Sequence, residues 1–168
     1  KQHEPACFLA AMLNSQPLGF YGPSQLVQDA QRHGVEVRPV DVSHSDWDCT
    51  TEHPGSALDQ PAIRLGLRMV SGLRKEVGQR IAAARTHQVF TSTQDLALRC
   101  NLNEVDLKAL ASADTLLSLS GHRRQQVWDA SALKPAPALL RGVPIEEDDL
   151  LLPAADEGNE VVFDYAAL

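Results

Sequence analysis

The spacing of apolar residues changes several times along the first third of the chain. Residues 6–13 are apolar throughout, which predicts a core helix that needs neighbours on every face. Residues 23–33 begin with a proline, carry an apolar stripe and precede Gly34, a pattern typical of an amphipathic helix. Valines spaced between residues 35 and 40 predict a short strand, which Pro39 confines to an edge or an ending.

The middle of the chain first loses its apolar pattern and then becomes helical. Residues 41–61 are polar and contain two prolines and a glycine, which predicts a long surface connection with one short strand near residues 49–51. Apolar positions at 65, 67 and 70 indicate a short helix that breaks at Ser71 and Gly72. Apolar positions at 77, 81 and 84 then follow the helical repeat. This order predicts a helix, a tight turn and a second helix.

Capping signals predict three further helices before the pattern ends. Thr93 is suited to cap a helix through Cys100, and Asn103 with Asp106 resembles a capping box that opens a helix to about residue 112. Ser120 is suited to cap a helix through residue 130. Residues 134–168 contain four prolines and a dense acidic run, which predicts a mobile linker with the next structural unit starting near residue 160.

Composition is that of a folded protein. The 168 residues, 43% of them hydrophobic, suit one domain or two small ones. The apolar run at 6–13 is well short of the roughly 20 residues that span a bilayer, and no signal leader precedes it, so we expect no membrane partner and a cytoplasmic location. Three distant cysteines argue against a disulfide framework and a structural zinc. Because the first residue is lysine, we expect the chain to be a piece of a longer protein.

Charge is distributed unevenly along the chain. The net charge of −7 alone argues against a nucleic-acid partner. Residues 62–99, however, carry seven basic and two acidic side chains, whereas the flanking segments are acidic. This basic island consists of Arg64, Arg68, Arg74, Lys75, Arg80, Arg85 and Arg99. A basic segment in an acidic chain is expected where one surface meets a polyanion, although solvation of helix faces would explain the same composition.

Five segments, in their order along the chain, resemble the bacterial C-family DNA polymerases. They are PACFLAAMLNSQPLGFY (5–21), HGVEVRPVDV (33–42), WDCT (47–50), RLGLRMVSGL (64–73) and GHRRQQVW (121–128). The strings at 14–21 and 121–124 are similar to the error-prone, damage-inducible branch of that family rather than to the replicative subunit. The resemblance extends over nearly the whole chain, including residues 161–168.

The resemblance implies a mainly α fold in three parts. Residues 1–61 would form the C-terminal part of the fingers, helical with a short β element. Residues 62–133 would form a tandem helix-hairpin-helix DNA-binding domain, and residues 134–168 an acidic, proline-containing linker toward the next domain. In this family the Mg²⁺-binding aspartates of nucleotidyl transfer lie upstream in the palm. We therefore expect a polymerase parent, no catalytic residue and no cofactor in this piece, and no activity of the piece alone.

The resemblance also implies duplex DNA, a primer-template, as partner. A helix-hairpin-helix motif points backbone N–H groups and the positive end of its second helix at a phosphate, without reading base sequence. The predicted contact residues are Ser71, Gly72, Leu73, Arg74, Lys75 and Arg80. Gly72 would allow positive φ, Leu73 would pack inward, and Arg74, standing where many such motifs have a second glycine, would neutralise a phosphate with Lys75 and Arg80. The second hairpin is predicted near residues 113–115, with a structural role.

Other features suggest chemistry but have simpler explanations. Asp46 and Asp48 could pair on a metal, yet a lone D-x-D in a loop is usually turn chemistry. The histidines at 33, 44 and 53 lack the spacing of a metal site, so no metal ligand is predicted. Cys49 could be a nucleophile, but buried free cysteine is common. Trp128 could stack on a base, but a core or interdomain role fits its neighbour Val127 better.

Three functions of different classes follow from the sequence. The first is a DNA-binding segment of an error-prone polymerase used in DNA repair and translesion synthesis. The second is a docking module of the same polymerase that binds accessory proteins of the damage response. The third, a stand-alone repair nuclease or glycosylase, lacks any constellation of carboxylate, lysine or metal ligands beside the hairpin.

Overall fold

The computed structural model describes residues 4–17, 21–52, 60–132 and 152–153. Within these ranges it contains seven α-helices, one 3₁₀ helix and a three-stranded sheet, so the prediction of a mainly α fold is confirmed. The elements are α1 (Pro5–Asn14), α2 (Pro23–Arg32), β1 (Val37–Arg38), β2 (Thr50–Glu52), β3 (Ala62–Arg64), the 3₁₀ helix Leu67–Met69, α3 (Lys75–His87), α4 (Thr93–Arg99), α5 (Glu104–Ser112), α6 (Leu117–Ser120) and α7 (Arg123–Ala132). Most of the predicted linker lies outside the described residues.

Helices α1 and α2 pack together at one end of the chain, against the sheet. Their buried core residues are Ala6, Leu9, Ala10, Leu13, Ala30, Val35, Cys49 and Ile63. The prediction that α1 is covered on every face is wrong, because Cys7 is exposed and Phe8 is 41% exposed. Helix α2 begins at the predicted proline, and Gly34 after its end has φ +79°, the left-handed conformation that glycine adopts without strain.

The sheet joins strands that are distant in sequence. Strand β3 lies between the other two, parallel to β1 and antiparallel to β2, and Ile63 is the Cα partner of both Val37 and Thr51. The strand predicted near residues 49–51, within the segment 41–61, corresponds to β2, whereas β3, which begins directly after that segment, was not predicted. The interpretation of that segment as surface was also wrong in part, because Val42, Ser45 and Cys49 are buried. The buried Ser45 hydroxyl is satisfied, because it donates to Leu65 O at 2.7 Å.

Glu52 at the sheet edge holds two arginines. Arg64 Nε donates to Glu52 Oε1 at 2.9 Å, and Arg38 Nη1 donates to the other carboxylate oxygen. The hydrogen bond from Arg64 lowers the pKa of Glu52, burial opposes this shift, and the bond from Arg38 adds to it. The ionised carboxylate therefore stabilises the fold more than the protonated carboxyl does.

Acid is expected to weaken the fold through Glu52. Because its folded-state pKa is lowered, its contribution is complete above the unfolded-state pKa of about 4.3 and is lost as the pH falls through the lower folded-state value. The free energies of urea unfolding of the wild-type chain and of Glu52→Gln should differ at neutral pH, and the difference should shrink as the pH falls below the unfolded-state pKa. A difference that does not change with pH would contradict this prediction.

A second core connects helices α3 to α7. Its largest fully buried residues include Leu67, Ile81, Leu96, Leu110 and Leu116. Helix α5 packs along α7, and the capping box predicted for α5 is present, with Asn103 and Asp106 each accepting the other's N–H. The cap of α4 is Ser92 rather than Thr93, because Ser92 Oγ accepts from Asp95 N. The helix predicted from Ser120 to residue 130 is α7, which begins at Arg123. Ser120 is instead the last residue of α6, a short helix that was not predicted and that ends at Gly121 (φ +71°).

Helix α3 is joined closely to the segment that precedes β2. A Cβ atom on Gly78 would lie 2.4 Å from Trp47 Cε3, so the indole lies directly against the α3 backbone. Arg85 Nη1 donates to Val42 O at 3.1 Å and to Ser45 O at 2.7 Å, and Arg85 Nη2 to Asp46 Oδ1 at 2.6 Å. The domain boundary between residues 61 and 62 stays a prediction, and contacts cross it through both β3 and α3.

Candidate nucleic-acid interface

The first hairpin, residues 70–74, connects the 3₁₀ helix to α3. Gly72 has φ +77° and no atom near its Cβ position, as expected for a tight, exposed turn. Ser71 and Gly72 are exposed, whereas Leu73 is 8% exposed and packs in the second core. The turn at Ser71 and Gly72 is therefore exposed, and Leu73, which is directed inward as predicted, attaches it to the second core.

The N-terminus of α3 is open. Its N-cap residue is Arg74, whose side chain makes no capping hydrogen bond. Val77 N and Gly78 N both donate to Arg74 O at 3.1 Å, while the amides of Lys75 and Glu76 precede the first intrahelical bonds. Unpaired N–H groups at the positive end of a helix dipole favour an anion such as a phosphate.

Lys75 and Arg80 are the two members of the basic island whose side chains have no ion-pair partner within the described residues, and both are exposed. The five arginines of the island pair with carboxylates instead: Arg64 with Glu52, Arg68 with Asp48, Arg74 with Asp106, Arg85 with Asp46, and Arg99 with Asp95. Most of the positive charge counted in the sequence is therefore neutralised within the protein.

Arg99 is an example of a paired arginine with a structural role. Its Nη2 donates to Ala84 O at 2.6 Å and to Gln88 O at 2.7 Å, which satisfies carbonyls at the C-terminus of α3. Its guanidinium lies 4.7 Å from the centroid of the Phe90 ring. Arg99 thus connects α3 to α4 and does not belong to the open surface.

The second hairpin, residues 100–103, lies between α4 and α5. Asn101 has φ +46°, Leu102 follows it, and Asn103 is the N-cap of α5, the same order as Gly72, Leu73 and Arg74 before α3. The placement of this hairpin at residues 113–115 was therefore wrong. Asp114 does have φ +55°, but its turn leads from α5 to α6 and its Oδ1 accepts from Gln126 Nε2 at 2.6 Å.

The two hairpins differ in how their helices begin. Asp106 N donates to Asn103 Oδ1 at 2.8 Å, and Asn103 N donates to Asp106 Oδ2 at 3.3 Å, so the capping box satisfies one amide of α5 and the amide of its N-cap residue. No such cap closes α3. The first hairpin therefore has more donors available for an anion. Arg74, predicted as one of its phosphate contacts, is 62% exposed but has its Nη2 3.3 Å from Asp106 Oδ2.

The other candidate residues have structural partners. Asp46 and Asp48 pair with Arg85 and Arg68, and His33 and His44 lie beside Asp29 and Asp41. His53 lies outside the described residues. Within the part of the chain that the structure describes, no group of three or more His, Cys, Asp or Glu side chains could hold a metal ion.

Cys49 does not have the environment of a nucleophile. Burial raises the pKa of its thiol, whereas a reactive cysteine needs a lowered pKa. The amide of Gly66 donates to Cys49 Sγ at 3.3 Å. The thiol therefore fills a packed position between β2 and the turn that follows β3.

Trp128 does not lie in the core. It is 49% exposed on α7 and lines a groove of about 260 Å³ with Arg123, Arg124, Val127, Ser131 and Leu152. Leu152 is held at the start of α7, because its N–H donates to Gln125 Oε1 at 2.8 Å and its carbonyl oxygen lies 2.8 Å from His122 Nε2. The chain thus returns to α7 at residues 152–153.

Comparison with known proteins points to one family. Residues 34–126 match the family model described as helix-hairpin-helix motif. Over the whole chain the sequence is 52% identical to a protein named error-prone DNA polymerase from Ralstonia nicotianae, 48% identical to one from Alkalilimnicola ehrlichii and 47% identical to one from Pseudomonas aeruginosa. The chain spans 16% of the length of each relative. The resemblance inferred from the sequence motifs is confirmed.

None of the described helices has the length and apolar composition that a membrane span requires.

The part of the site that was not located correctly from the sequence is the second hairpin. A signal for it exists, because Asn101, Leu102 and Asn103 repeat the order of a left-handed residue, a leucine and an N-cap residue. Asparagine is the residue other than glycine that adopts the left-handed conformation most readily.

Proposed function

Since this chain belongs to the helix-hairpin-helix motif family, we propose that it is a non-catalytic DNA-binding segment of an error-prone polymerase that contacts the duplex phosphate backbone. The observation that carries the proposal is the open N-terminus of α3 behind the exposed first hairpin. A phosphate placed there would accept from the amides of Lys75 and Glu76 and would lie at the positive end of the helix dipole.

Lys75 and Arg80 supply the charge for this contact. Both side chains are exposed and unpaired within the described residues, so neither must break an internal ion pair to reach a phosphate. The net charge of −7 does not oppose such a contact strongly, because exposed charges beyond a Debye length of about 8 Å are largely screened at physiological salt. Contacts of this kind fix position on the duplex and carry no base information, so we expect no sequence preference.

The role of the longer protein is an inference from its relatives. We propose that the parent is a DNA-directed DNA polymerase that acts in translesion synthesis, as the relatives' name, error-prone DNA polymerase, suggests. We also propose that it acts in the bacterial cytoplasm. The Mg²⁺ and catalytic carboxylates of nucleotidyl transfer would then belong to the rest of that protein. We expect the 168-residue chain to have no polymerase or nuclease activity with any divalent metal.

The groove beside Trp128 favours a second function, the docking of accessory proteins. Trp128 is half-exposed and lines the groove with Arg124, and both tryptophan and arginine are enriched at protein interfaces. This function would use α7 and not the first hairpin. The two functions can therefore be separated by mutation.

Removing Lys75 or Arg80 is expected to weaken DNA binding in a salt-dependent way. Each phosphate contact contributes about −0.9 to the slope of log K against log salt, which corresponds to about a 3.5-fold fall in affinity between 50 and 200 mM salt. Fluorescence anisotropy of the 168-residue chain with short duplexes should show that Lys75→Ala and Arg80→Ala each reduce the magnitude of the slope by about one, equally for all base sequences.

The matched control is Arg32→Ala, an exposed arginine at the end of α2, remote in sequence from both hairpins. It should change neither the affinity nor the slope. If Lys75→Ala and Arg32→Ala behave alike, the first hairpin is not the DNA surface. The docking function would then be favoured, and Trp128→Ala would be the variant to test for loss of protein partners.

A further inference from the structure

Asp106 carries a carboxylate that is almost completely removed from water, at 2% exposure, in the first turn of α5. Burial of a carboxylate is costly unless the group is paired and hydrogen-bonded. Its Oδ2 accepts the N–H of Asn103, and Arg74 Nη2 lies 3.3 Å from Oδ2 and 3.4 Å from Oδ1. Within the described residues, Arg74 provides the positive charge that this buried group needs.

The ion pair joins equivalent points of the two hairpins. Arg74 is the N-cap residue of α3, two residues after the left-handed Gly72. Asp106 belongs to the capping box of Asn103, which stands two residues after the left-handed Asn101. Residues separated by 32 positions in sequence thus hold the N-termini of α3 and α5 within the reach of one arginine side chain.

We propose that Arg74 is a positioning residue for DNA binding, which holds the second hairpin beside the first through Asp106 instead of neutralising a phosphate itself. The inference rests on the proposed DNA-binding function. Moving the guanidinium of Arg74 onto a phosphate would leave the Asp106 carboxylate buried without a cation while the duplex adds further negative charge. Retention of the ion pair is therefore favoured, and Lys75 and Arg80 carry the phosphate contacts.

Salt dependence separates positioning from charge neutralisation. For Arg74→Ala we expect about a tenfold loss of duplex affinity, within the range of coupling between contacting residues, and an unchanged salt slope. A phosphate contact would instead lower the magnitude of the slope by about 0.9, the change expected for Lys75→Ala. Both variants are measured in the 168-residue chain by fluorescence anisotropy over a series of salt concentrations.

Asp106→Asn tests the same ion pair by changing the carboxylate instead of the arginine. Asparagine retains the shape and can still accept the N–H of Asn103, but it does not hold Arg74 by charge. We expect Asp106→Asn to lower affinity with an unchanged slope, and the double variant to be no weaker than Arg74→Ala alone. A gain in affinity or a steeper slope for Asp106→Asn would mean that a released Arg74 binds phosphate, which would overturn the proposal.

Hydrogen exchange tests the same connection without DNA. In Arg74→Ala, the amides of residues 101–105 should exchange faster, while those of α7 should not change. Unchanged exchange at 101–105 would overturn the proposal. If the wild-type chain binds no duplex but this exchange effect is present, the DNA-binding function fails and the coupling of the hairpins stands, so the two failures are distinguishable.

Discussion

Substitution of Gly66 by alanine is expected to destabilise the fold strongly. The added Cβ would lie 2.4 Å from both Asp48 C and Trp47 O, and 2.6 Å from Asp48 O. These are backbone atoms, so no side-chain rotation can relieve the clash. The backbone of Gly66 has φ −85°, which alanine adopts easily, and the cost is therefore steric rather than conformational.

We expect the free energy of unfolding to fall by at least about 3 kcal/mol, a large part of the 5–15 kcal/mol typical of a domain. Urea unfolding followed by circular dichroism measures this loss. Gly22→Ser is the control, because its Cβ would lie 4.0 Å from Ser24 Oγ and serine is suited to the N-cap that Gly22 occupies. Equal urea midpoints for Gly66→Ala and the wild-type chain would show that the backbones do not approach this closely.

The second large effect is expected at Gly78, where α3 meets the indole of Trp47. A Cβ there would lie 2.4 Å from Trp47 Cε3 and 2.9 Å from Cζ3. Alanine is the better helix former by about 1 kcal/mol, but displacement of a packed ring usually costs more. We expect Gly78→Ala to lose about 2 kcal/mol of stability in the same urea measurement.

A double variant tests the cause of that loss. Trp47→Leu removes the ring that the new methyl group would strike, so Gly78→Ala in the Trp47→Leu background should cost little or be stabilising. The interaction energy of the cycle should exceed about 1 kcal/mol in the compensating direction. Simple additivity of the two losses would place the origin of the instability elsewhere than in the contact between Gly78 and Trp47.

Local signals were sufficient to predict most helices from the sequence. Pro23 and Gly34 delimit α2, and Asn103 with Asp106 opens α5, because capping depends on residues three or four positions apart. Strand β3 could not be predicted in this way. It has three residues, and it exists because β1 and β2 supply hydrogen-bonding partners on both sides.

The candidate site was predicted in part. The turn at Ser71 and Gly72 followed from a break in the helical pattern, and the structure has a positive φ there. Whether each arginine forms an ion pair could not be predicted from the sequence, because the carboxylate partners are remote. Asp46 is 39 positions from Arg85, and Asp106 is 32 positions from Arg74. Counting charges located a basic segment but could not distinguish neutralised arginines from available ones.

The contacts of Arg85 and Trp47 on α3 have a mechanical consequence. Because one face of α3 is fastened to residues 42–47 by hydrogen bonds and by the indole, the helix cannot tilt independently of the segment that leads into the sheet. The first hairpin lies at the N-terminal tip of the same helix. A displacement of residues 42–47 would therefore carry α3 with it and shift the first hairpin.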